Sequence, residues 1–163
     1  MKATDVIRIA IGHSDLIIER YLNGLEDADL QLRPIEGMNC IAWQLGHLLA
    51  TERQLVEAVK PGSCPPLPEG FEEAHVKEGD QTGDTSKYLS KNEYVSLMSK
   101  QRAVTKAVLE GLSDADLDAP APEHIRNFLP NVGAMMLLTG THVILHSGQF
   151  VAVRRKLNKP VAF

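Results

Sequence analysis

Apolar residues recur every three or four positions in four stretches of the chain, the spacing that places them on one face of an α-helix. The first stretch runs from Thr4 to Gly24, with Thr4 as its N-cap and Val6, Ala10, Ile17 and Tyr21 in its stripe. The second runs from Asn39 to Lys60. Asn39 serves as its cap, Ile41, Leu45, Leu48, Leu55 and Val59 form its stripe, and Pro61-Gly62 stops it. The third runs from Ser90 to Leu112. Ser90 and Glu93 stand at capping-box spacing, where each side chain satisfies an orphan N–H at the helix start. The fourth runs from Asn131 to Leu157, behind Pro130. No segment shows strand alternation, so the pattern predicts an all-α fold. Between the second and third helices, Pro61–Leu89 holds Pro61, Pro65, Pro66 and Pro68, then Gly79, Asp80, Gly83 and Asp84. It has no helical or strand period. A connection of this length inside a compact domain is usually functional or mobile.

Gly24-Leu-Glu-Asp-Ala-Asp-Leu30 resembles Gly111-Leu-Ser-Asp-Ala-Asp-Leu117. Each phrase follows one predicted helix and precedes a proline-bearing loop and a second helix. The chain therefore reads as two helical hairpins, with the long connection between helices 2 and 3. Asp-Ala-Asp-Leu is also a common short-helix phrase, so the match alone does not require a repeat. Packing two such hairpins as a four-helix bundle would bring the second and fourth helices together. Those helices carry His47 and His142 at matching places.

The length of 163 residues fits a single domain over 1–163. A net charge of −4 argues against nucleic acid or an anionic membrane as partner, because phosphate binding needs clustered Lys and Arg. The one basic run, Arg154-Arg155-Lys156, falls at a predicted helix end, where cations are favoured. Cys40 and Cys64 are too few and isolated for a disulfide framework. The N-terminus lacks a signal-peptide layout. Residues 132–153 come nearest to a membrane span, but their two His, Gln, Ser and two Thr suit a buried helix. The expected setting is the cytoplasm.

His142-Val-Ile-Leu-His146 places two imidazoles one helical turn apart on one face. That spacing lets both reach one ion. They lie in a segment with no charged residue between Asn131 and Arg154. Burying imidazoles there is costly unless their nitrogens find partners. A metal ion is one such partner; Thr139, Thr141, Ser147 and Gln149 are the others. Gly140 and Gly148, inside the same helix, suggest close approach by another helix or a ligand. Val143 follows the first histidine, where a zinc protease helix would carry its glutamate base, so that class is excluded. Any base must come from elsewhere, and Glu52, one turn beyond His47, is a candidate. His13 is expected at the surface, and His75 and His124 in solvated loops.

Trp43-Gln-Leu-Gly-His47-Leu and His142-Val-Ile-Leu-His146-Ser-Gly-Gln149 resemble the DinB/YfiT-like family of metalloenzymes over nearly the whole chain. The resemblance implies a four-helix bundle with a long crossover and a three-histidine site for zinc, nickel or a similar ion. Its ligands would be His47, His142 and His146, with Gln149 supporting them. Ser147 stands where many members carry Arg. Some relatives transfer sulfur from low-molecular-weight thiols such as bacillithiol or mycothiol, which implies a small-molecule substrate and a homodimer. Three neutral imidazoles leave an ion its full charge and an open position. Such an ion can lower the pKa of water or of a thiol. Thiol S-transfer, hydrolysis through bound hydroxide, and non-catalytic metal binding or dimerisation are all compatible with that chemistry. Imidazole ligates only when neutral, so at ordinary pKa values binding would weaken as pH falls through about 6.5.

Overall fold

The computed structural model describes residues 1–75 and 85–161. It is all-helical, with seven α-helices and no strand among the described residues: α1 (Ala3–Leu22), α2 (Asp27–Leu30), α3 (Ile41–Val59), α4 (Phe71–Ala74), α5 (Lys91–Glu110), α6 (Asp114–Asp118) and α7 (Val132–Lys156). The four long helices match the four predicted stretches to within about two residues. Ser90 and Glu93 form the expected capping box at the start of α5. Asn131 caps α7 by accepting the Ala134 N–H. Two caps differ from expectation. Lys2 is the N-cap of α1, where Asp5 accepts its backbone N–H, and Cys40 precedes α3 in place of Asn39. Both Asp-Ala-Asp-Leu phrases fold as short helices, α2 and α6, each opened by a capping box.

The packing partners are α1 with α7, α7 with α3, α3 with α5, and α5 with α1. Contacts along these pairs fix the directions. Gly140 of α7 meets the backbone of Ala10, and Arg154 reaches the Tyr21 and Asn23 carbonyls, so α1 and α7 run parallel. His146 bonds Gln44 while Arg102 joins Glu52 to Thr139, so α3 runs against α7. Lys91 bonds Asp27 and Lys106 bonds Asp15, so α5 runs against α1. It follows that α3 and α5 are parallel. The expected hairpin partners α1 and α3 are antiparallel, but each finds its main contacts on α5 and α7. The turns of α2 and α6 carry the chain across opposite ends of the molecule.

Parallel α3 and α5 account for the long connection. The chain leaves α3 at Val59 and must return about 28 Å, the length of that helix, before α5 begins. The connection is not structureless, since Phe71–Ala74 forms one helical turn with Phe71 and Ala74 buried. Its Gly79-Asp80 and Gly83-Asp84 part lies outside the described residues.

α7 is long and apolar enough to cross a membrane by length and composition alone. It serves here as a core helix, packed on α1, α3 and α6. Gly140 is what permits this, because a Cβ there would stand 3.1 Å from the Ala10 carbonyl. Gly148, by contrast, has no neighbour within 4 Å of where its Cβ would be. Arg154 is buried and donates to Tyr21, Asn23 and Pro160 carbonyls, so part of the basic run holds the end of α1 instead of facing solvent.

Midway along the helices lies a buried ionic network. The Arg102 guanidinium of α5 meets Asp15 of α1 at 3.0 Å and Glu52 of α3 at 3.2 Å, and donates to the Thr139 carbonyl of α7 at 3.2 Å. Thr105 donates to the other Glu52 oxygen at 2.6 Å. Removing one partner leaves a buried charge uncompensated. We expect Arg102→Ala to lower stability by about 3–5 kcal/mol in urea unfolding. Arg102→Met combined with Glu52→Gln should cost clearly less than the sum of the two single changes.

Candidate metal centre

α3 and α7 pack against each other, and three histidines face one another there. His47 lies on α3, and His142 and His146 lie one turn apart on α7. One nitrogen from each falls within 4.8 Å of the others. The Nε2 atoms of His142 and His146 are 3.1 Å apart. The His47 ring centroid is 5.2 Å from that of His142 and 5.3 Å from that of His146. The arrangement follows from antiparallel packing, which sets a single position on α3 against an i,i+4 pair on α7.

Two of the rings, His47 and His146, are held from behind. Trp43 stacks on His47, with centroids 4.9 Å apart and planes inclined by 6°. They are four residues apart on α3, so the stack is built into the helix. The Trp43 indole N–H is buried and, among the described residues, has no hydrogen-bond partner. His146 is held by Gln44, which is 1% exposed. The Gln44 amide nitrogen donates to the Asn39 carbonyl at 3.0 Å, so its oxygen faces His146 Nδ1 at 2.9 Å. That oxygen only accepts, so Nδ1 carries the proton and Nε2 presents its lone pair toward His142. A metal-binding histidine is typically oriented by such a partner.

Burial, with His47 close by, pushes His142 down to about 4. Burial, then His142 and His47, push His146 down to the same value. Both rings are therefore neutral across the physiological range. This moves the expected proton competition: at these two positions it begins near pH 4, not near 6.5. The donor set fits a divalent ion of borderline softness, with neutral imidazole nitrogens converging and one tautomer already fixed.

The other candidates are placed elsewhere. Glu52, 5% exposed, is committed to Arg102 and Thr105 and does not join the histidines. Burial raises its pKa against the pull of Arg102. Gln149 is half-buried, and the glutamine bonded to His146 is Gln44. Sequence reading passed over Gln44, although its position three residues before His47 puts it on an adjacent face of the same helix. His13 and His124 are exposed, as expected, and Cys40 and Cys64 lie outside the cluster. His75 is not solvated. It is 1% exposed, with Nδ1 2.6 Å from the Phe71 carbonyl and Nε2 2.8 Å from the Tyr94 hydroxyl.

The fold and the cluster together describe an all-helical protein with a three-histidine site of metal-binding character. The chain belongs to the DinB superfamily, whose family model matches residues 17–150. No curated protein and no solved structure matches it.

His142 and His146 protonate at about 4 when folded and at about 6.5 when unfolded. Between those values the unfolded chain binds more protons, so stability falls as pH is lowered through that window. We expect metal-free protein to lose urea resistance progressively between pH 6.5 and 4. NMR should show both rings still neutral at about pH 5.5.

Proposed function

We propose that the chain is a four-helix-bundle metalloenzyme that activates a low-molecular-weight thiol for transfer to a small electrophile. The observation that carries this reading is the convergence of three imidazole nitrogens within 4.8 Å, in a protein of the DinB superfamily. His47, His142 and His146 would hold a zinc or nickel ion, leaving at least one position open. Bound there, the ion would lower the pKa of an arriving thiol and supply thiolate at neutral pH. Gln44 keeps the His146 lone pair directed inward, and Trp43 backs His47. In the transfer the thiol would release its proton to solvent, the sulfur lone pair would form the bond to carbon, and the leaving group would depart with its electron pair.

Hydrolysis is the second enzymatic reading. The commitment of Glu52 to Arg102 and Thr105 weighs against it, because the carboxylate nearest His47 in sequence is then unavailable as base for water. Thiolate chemistry does not require that base.

Elemental analysis of untagged protein should give close to one zinc or nickel per chain, lost in His146→Ala. Full metal retention in that variant would overturn the site. The loaded protein should consume a small thiol together with an alkylating electrophile, and His142→Ala should not. Ester cleavage without thiol would select hydrolysis; metal binding without either turnover would select a binding role. Gln44→Ala should retain the fold and weaken zinc binding by roughly 10–100-fold in chelator competition.

A further inference from the structure

His75 reaches the centre of the molecule from the middle of the crossover between α3 and α5. Its ring occupies the space above Gly46, the residue before His47. A Cβ at position 46 would stand 2.0 Å from His75 Cδ2 and 2.3 Å from its Cγ and Nε2, far inside contact distance. The ring is fixed at both nitrogens. The Phe71 carbonyl only accepts, so Nδ1 donates to it, and in the neutral ring Nε2 accepts the Tyr94 hydroxyl proton. Tyr94 in turn accepts the Leu89 N–H at 3.4 Å. Burial holds the Tyr94 phenol well above its usual pKa, so it stays a donor. One hydrogen-bond chain thus ties the two described arms of the crossover to α5 and presses an imidazole onto α3.

We propose that His75 is a positioning residue for His47, acting through the α3 backbone at Gly46; this rests on the three-histidine reading above. On a helix surface, Cβ positions three or four apart lie about 5–6 Å from one another. Trp43, Gly46 and His47 therefore share one patch of α3, and the His75 ring lies over its Gly46 corner. Among the described residues the Trp43 indole N–H has no hydrogen-bond partner, so the plane stacked on His47 follows the placement of this part of α3. His75 holds that segment from the Gly46 side. The glycine before His47 is required to admit it.

Trp43 is the only tryptophan, so its emission reports on the stack in metal-free protein. Three variants decide the matter: His75→Ala, Gly46→Ala and the double Gly46→Ala/His75→Ala. Each single change should alter metal-free Trp43 emission and weaken zinc binding by roughly tenfold or more, with far-UV circular dichroism unchanged. The double variant should lose less than the two singles combined, because the new methyl enters the space the imidazole has left. If His75→Ala leaves the emission unchanged, or the two changes add without coupling, the proposal is wrong. Wild-type protein that takes up no zinc would refute the three-histidine site. The emission and the coupling, measured without metal, would still decide the role of His75.

Discussion

The Arg102 guanidinium is the fixed point of the structure. It touches α1 through Asp15, α3 through Glu52 and α7 through the Thr139 carbonyl, while belonging to α5. A buried ion pair adds little net stability over an apolar replacement. What it adds is a heavy penalty for any register that parts the cation from its carboxylates. Glu52 lies five residues from His47, and Thr139 lies three from His142. One cation therefore fixes α3 and α7 about a turn away from the point where their histidines meet. The alignment of the cluster is inherited from a contact that takes no part in it.

Support for the cluster comes from three different kinds of force. Gln44 holds His146 by a directional bond that also decides its tautomer. Trp43 holds His47 by ring stacking. Gly140 brings α7 against α1 by removing a side chain, so that backbones meet. All three act on protein atoms alone, which means the rings are prepared before any ion arrives. The shared burial that keeps His142 and His146 neutral works to the same end.

The local signals in the sequence were reliable where local forces decide the outcome. The capping box at Ser90 and Glu93, the cap at Asn131 and the 3.6-residue stripes each depend on residues within a turn or two, and each describes a helix that forms. The His142/His146 pair was legible for the same reason. What escaped depends on partners distant in sequence. His75 sits among prolines and acidic residues, and only Gly46 and Tyr94 reveal why it is buried. Glu52 read as a free base because Arg102, fifty residues later, gives no sign of pairing with it. Gln44 carried no signal of its own in the sequence, and only the packing of α3 on α7 brings it to His146.

Every principal helix contact joins segments distant in the chain. α1 meets α7 across more than a hundred residues, and α3 meets α5 only after the crossover has closed. Helical proteins usually fold fast because their contacts are local. Of the consecutive long helices only α3 and α5 are main partners, and they pair across the crossover, so the α1–α7 contact waits until the chain ends come together. The pinning of the crossover at His75 splits one long loop closure into two shorter ones. The ordering cost of the α3–α5 pairing is then met in stages. For a helical chain of this size, the topology implies slow, late consolidation, with α1 and α7 docking among the last events.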